Sequence, residues 1–85
     1  MHRHGRVDSN HADIREALRA AGWRVLSLAD LGGGVPDLLV YRTGQPLRLV
    51  EVKARGGVVT PAQEQFMADG WPVTIVRSVE DVLDL

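Results

Sequence analysis

The chain has 85 residues, 45% hydrophobic and 25% charged, with a formal net charge of -1. That length supports one domain with a small core and little margin of stability, so a partner subunit would help, and the balanced composition excludes a disordered chain. The lack of cysteine excludes disulfides, Cys-based zinc sites and thiol catalysis, and the near-neutral charge argues against a protein that merely coats DNA.

The four aromatics, Trp23, Tyr41, Phe66 and Trp71, are too few for a platform that stacks single-stranded bases. Trp23 and Trp71 read as core or dimer surface instead. No apolar stretch approaches the ~20 residues of a membrane span, and the N-terminus lacks the apolar core of a signal peptide. A soluble, cytoplasmic protein without membrane contact is expected.

In chain order, residues 1–8 are polar and basic and read as a flexible tail, with a single domain over residues 9–85. Asp8-Ser9-Asn10 supplies helix-start residues, and Ile14, Leu18 and Ala21 recur at helical spacing until Gly22, so a first helix is expected from about Ser9 to Ala21. Trp23 to Leu28 alternates as a first strand, and Asp30 to Gly34 forms a glycine-rich loop. Such a loop lets a backbone approach a phosphate, but its spacing is not that of a phosphate-binding loop, and plain flexibility explains it as well.

Val35 to Tyr41 and Leu47 to Lys53 are short apolar runs separated by a turn containing Gly44 and Pro46. A hairpin centred on Gly44 sets Tyr41 opposite Leu47, Leu39 opposite Leu49 and Asp37 opposite Glu51. Opposed residues point to one face with Cβ atoms roughly 4.5 to 5.5 Å apart, and Lys53, two residues past Glu51, shares that face. Opposed like charges destabilise a sheet unless something between them compensates. Oxygen ligands suit Mg2+ or Mn2+ in that place. Taken singly, Glu51 and Lys53 are equally well explained as the solvent-facing half of a strand, paired with each other or with Asp37.

Beyond the loop Ala54 to Gly57, Thr60-Pro61-Ala62-Gln63 announces a second helix over Pro61 to Ala68, with Phe66 as its clearest core residue. Val73 to Val76 is a fourth strand, and Ser78 caps a closing helix over Val79 to Leu83. The helical crossover implies that the third and fourth strands run parallel, while the short connections among the first three imply antiparallel pairing. The expected fold is α/β, a four-stranded mixed sheet flanked by helices in the order αβββαβ(α).

Gly34-Val35-Pro36-Asp37, then Leu49-Val50-Glu51-Val52-Lys53, then Thr60-Pro61-Ala62-Gln63, together resemble the VRR-NUC branch of the PD-(D/E)XK nuclease superfamily, which includes restriction endonucleases and Holliday-junction resolvases. The resemblance covers about Ser9 to Val82. It implies a restriction-endonuclease-like core and hydrolysis of DNA phosphodiester bonds dependent on Mg2+ or Mn2+, without an organic cofactor. Homodimers acting on branched DNA are also implied. By that resemblance Asp37 and Glu51 are metal-binding acids, the main-chain carbonyl of Val52 is a further ligand, and Lys53 positions or activates water. Gln63 matches a glutamine that projects toward the site, although Thr60 and Gln63 also satisfy a capping box with no chemistry at all. The first-helix glutamate of the family has no match; Asn10 lies nearest that place and Asp13 one turn on, which makes them outer-shell candidates.

Arg15 and Arg19, one turn apart on the first helix, together with Arg3 and Arg6, are candidates for a path along the DNA backbone, or else an ordinary solvated face. Arg55, on a glycine-flanked loop just past Lys53, is the better phosphate contact. His2, His4 and His11 are weak as a metal set and read as a solvated tail. A non-catalytic DNA-binding or assembly module on the same fold, or a protein-interaction domain with acidic surface residues, are the alternatives to a nuclease.

Overall fold

Ile14 and Leu18, four residues apart on one helix face, are fully buried, and they dock that helix onto a four-stranded sheet. The computed structural model describes residues 3–85, with side chains from Asn10 onward. The first helix, α1, spans Arg3–Ala20. It begins well before the expected Ser9, because no proline interrupts this stretch and a nucleated helix gains one backbone hydrogen bond for each residue added. Of the residues read as a tail, Met1 and His2 lie outside the described residues, as do the side chains of Arg3, His4 and Arg6.

The strands are β1 (Arg24–Ser27), β2 (Leu38–Tyr41), β3 (Arg48–Val52) and β4 (Val73–Val76). They form one sheet in the order β1-β2-β3-β4, antiparallel except for the parallel pair β3 and β4, as the connection lengths require. Helix α2 covers Pro61–Ala68 and α3 covers Val79–Val82. The expected mixed sheet and element order are therefore present, with an added single turn of 3-10 helix at Ala29–Leu31.

Leu39 pairs with Leu49, flanked by Leu38 with Val50 and Val40 with Arg48, which is the register expected from a turn centred on Gly44. The second strand starts at Leu38 rather than Val35, since Pro36 has no N–H for a ladder. Alternation along the strands then sorts the residues. Leu38, Val40, Val50, Val52 and Val76 are buried toward α1 and α3, with Trp23 and Val82 completing the core. Asp37, Leu39, Leu49, Glu51, Lys53 and Ile75 belong to the opposite face.

Trp23 is a core residue, and the guanidinium of Arg42 lies 4.5 Å from its ring centroid. Arg42 also donates to the Ala21 carbonyl at 2.9 Å, closing the end of α1. The expectation for Phe66 fails: α2 contains no fully buried residue, and Phe66 is half-buried, stacked on the exposed Trp71 at 5.4 Å between centroids. Helix α2 thus stands off the sheet, with a shallow cleft between them lined by Gly34, Pro36, Glu51, Gln63, Phe66 and Ile75. No described helix is long and apolar enough to cross a membrane.

Candidate active site

One end of that cleft is formed by Glu51 near the end of β3. Only 6% of Glu51 is exposed, which excludes the reading of Glu51 and Lys53 as a solvated strand face. Lys53 Nζ lies 3.6 Å from Glu51 Oε2. Gln63, in the first turn of α2, donates from Nε2 to the same oxygen at 2.9 Å. Asp37 accepts the Val52 N–H on Oδ2 at 2.9 Å, and its own carbonyl accepts from Leu28 N–H at 2.7 Å. The carboxyl of Glu51 is held above its ordinary value, first by burial and next by the negative charge of Asp37, while Lys53 pulls the other way.

The Asp37 contact has a cause in strand geometry. In an antiparallel pair the N–H and C=O of one residue point to the same neighbouring strand. Val52 turns both toward the segment leading into β2, and the register sets Pro36 opposite it. Proline has no N–H, so the ladder offers no donor to the Val52 carbonyl, while the Val52 N–H donates to the Asp37 side chain at the same position. Protein donors fall on Glu51 Oε2 and Asp37 Oδ2, and the second oxygen of each carboxylate receives no hydrogen bond among the described residues.

Gln63 is placed by its helix start. Thr60 Oγ1 accepts from the Gln63 N–H at 3.2 Å, and Gln63 Oε1 accepts from the Thr60 N–H at 2.9 Å, so the capping box is complete while Nε2 remains free to reach Glu51. The glycine-rich loop fixes the distance between α2 and the sheet. Gly34 has φ +84°, and a Cβ there would meet the Ala62 carbonyl oxygen at 2.3 Å. Close approach, rather than flexibility, explains this glycine.

Asn10 is half-buried and Asp13 exposed on α1, which packs on the other face of the sheet. Among the described residues neither makes a hydrogen bond or ion pair with Asp37, Glu51 or Lys53. No group of three or more His, Asp or Glu side chains gathers among the described residues either, so the acidic centre is a pair of carboxylates. Arg15 is half-buried and Arg19 exposed on α1, while Arg55 is exposed on the loop after Lys53.

Arg77 was not anticipated. It follows β4 and donates from one terminal nitrogen to the Ala54 carbonyl at 3.0 Å and the Gly57 carbonyl at 2.7 Å. No local pattern signals a contact that spans 20 residues or more.

A mixed four-stranded sheet with two carboxylates, a lysine and a glutamine converging at the end of a hairpin is the arrangement of a nuclease-type α/β domain. The family model for the VRR-NUC domain matches residues 4–77, and the chain belongs to the VRR-NUC family. Comparison with curated proteins and with solved structures returns no match.

Proposed function

We propose that this domain is a divalent-metal-dependent DNA endonuclease that cleaves phosphodiester bonds with Asp37, Glu51, Lys53 and Gln63. The observation that carries the reading is a glutamate only 6% exposed that shares its site with a second carboxylate, Asp37, and lies 3.6 Å from the Lys53 ammonium. Structural acids are seldom buried with a second carboxylate alongside.

The donor set fits Mg2+ or Mn2+ by its chemistry: two hard carboxylates and one main-chain carbonyl. Asp37, Glu51 and the Val52 carbonyl would hold the cation. Bound there, it supplies charge neutralisation at the phosphoryl and leaving oxygens and activation of water. Lys53 adds a point charge and a donor beside the attacked phosphate. Gln63 holds Glu51 in one rotamer, so the carboxylate needs no reorganisation when substrate arrives.

The finer reading is structure-selective cutting, of a four-way junction or as a nick in duplex, by a homodimer with one site per protomer. Small size and exposed Leu26, Leu31, Leu47 and Trp71 support a second copy. Two-fold symmetry suits a substrate with two equivalent strands.

The Lys53 to Glu51 ion pair and the lack of a third acid among the described residues favour a second reading, a DNA-binding or assembly module without catalysis. Calorimetric titration with Mn2+ separates the two. The nuclease binds the ion, and Asp37→Ala abolishes that binding; a wild-type protein that takes up no Mn2+ in the presence of DNA is the module.

A further inference from the structure

Ala54 to Gly57 forms a turn in which the Gly57 N–H donates to the Ala54 carbonyl at 2.9 Å. Gly56 has φ +80° and no non-glycine residue among those described has positive φ, so this is a type II turn with Arg55 at its first corner. It follows Lys53 directly, and a Cβ at Gly57 would lie 3.1 Å from the Ala54 carbonyl oxygen, so the turn is tight. An exposed four-residue turn has little to hold it. Arg77 braces it, because one guanidinium nitrogen donates to the Gly57 carbonyl and adds a second donor to the Ala54 carbonyl, tying the two ends of the turn together. The Arg77 N–H in turn donates to Asp81 Oδ2 at 2.8 Å, and Ser78 caps α3, so the base of the arginine is fixed as well.

We infer that Arg77 is a positioning residue that presents Arg55, beside Lys53, to a backbone phosphate of bound DNA. Two effects combine. The turn is held in one conformation, so Arg55 loses less freedom on binding. The negative ends of the two carbonyl dipoles are paired with the Arg77 cation, which lowers the negative potential beside Arg55. Arg77 acts through the turn and does not touch the nucleic acid. The inference rests on the DNA-binding reading of the site.

The test is a double-mutant cycle on binding of a fluorescent four-way junction and a plain duplex, with EDTA present and salt varied. Arg77→Met retains the apolar stem and removes the donors. Arg55→Ala and Arg77→Met each weaken binding by about tenfold and each lower the salt slope by about one. The double variant falls within about twofold of either single one. Arg77→Lys, which keeps the charge on a shorter stem, retains more binding than Arg77→Met. Gly56→Ala, with no atom within 4 Å of its Cβ, loosens the same turn without touching Arg77 and reproduces the loss. Losses that multiply in the double variant, or an unchanged salt slope in Gly56→Ala, overturn the inference while leaving DNA binding intact. A wild-type protein that binds neither DNA removes the DNA reading and this inference together.

Discussion

Gln63 joins two structures with one side chain: its Nε2 donates to Glu51 Oε2 at 2.9 Å while its Oε1 accepts the Thr60 N–H at 2.9 Å. Capping and site are therefore not alternatives. Gln63→Glu preserves the acceptor for Thr60 but sets a third carboxylate against Glu51 and Asp37, which raises the Glu51 pKa further. The expected outcome is a normally folded protein whose acid limb of kcat/KM against pH moves upward. Gln63→Ala loses the reciprocal cap as well, at a cost of about 1 kcal/mol in a thermal melt. A pH profile for Gln63→Glu that superimposes on wild type reduces Gln63 to a cap.

Glu51 ties stability to pH in an uncommon direction for a carboxylate. Its folded pKa is raised above the unfolded value by burial and by Asp37. The protonated form is thus favoured on folding, and this contribution is fully present below the unfolded pKa and is lost as pH rises through the folded one. Glu51→Gln should accordingly melt at a higher temperature than wild type at pH 7 without metal, with the gap closing as the pH falls toward the ordinary glutamate range. Adding Mn2+ should stabilise wild type alone, because a ligand stabilises only the protein that binds it. A Glu51→Gln protein less stable than wild type at neutral pH without metal contradicts this balance.

Gly34 and Gly33 form a matched pair of tests. Both have positive φ, but a Cβ at Gly34 meets Ala62 O at 2.3 Å and one at Gly33 meets nothing within 4 Å. Gly33→Ala should cost about 1 kcal/mol, the price of the backbone conformation alone. Gly34→Ala must also push α2 away from the sheet, so a loss of about 3 kcal/mol and a drop in melting temperature of roughly 12 to 24 °C are expected. Because Gln63 moves with α2, cleavage should fall in Gly34→Ala even where the protein remains folded. Equal melting temperatures for the two variants contradict the close-approach argument.

The proposed homodimer predicts a solution mass twice that of the chain at micromolar concentration. Sedimentation equilibrium reads this directly, and a monomer at concentrations where the protein cleaves DNA contradicts the two-site account.

Much of this structure is legible in the residues because the signals are local. A turn at Gly44 and alternation at Leu39 and Leu49 set the hairpin register, which carries Asp37 and Glu51 to one face. Thr60, Pro61 and Gln63 mark the start of α2 at the residue where it occurs. What escapes is set by contacts distant in sequence. Periodicity says which way Phe66 points but not how far α2 stands from the sheet, so Phe66 stacks on Trp71 instead of entering the core. Arg77 meets Ala54 and Gly57 only once β3 and β4 lie side by side. The start of α1 at Arg3 is hidden for a different reason: Asp8-Ser9-Asn10 has the composition of a cap yet lies within the helix.

In the proposed nuclease, Asp37 and Glu51 hold a cation that promotes DNA cleavage. The direct measurement is a gel assay of a four-way junction, a flap, a duplex and a single strand, with and without Mn2+, using wild type and folded Asp37→Ala and Lys53→Ala variants. Cleavage by wild type only when Mn2+ is present, with the junction or nicked duplex preferred and both variants inactive, is the predicted result. Equal cleavage by the variants, or none by wild type on any substrate with Mn2+, contradicts it.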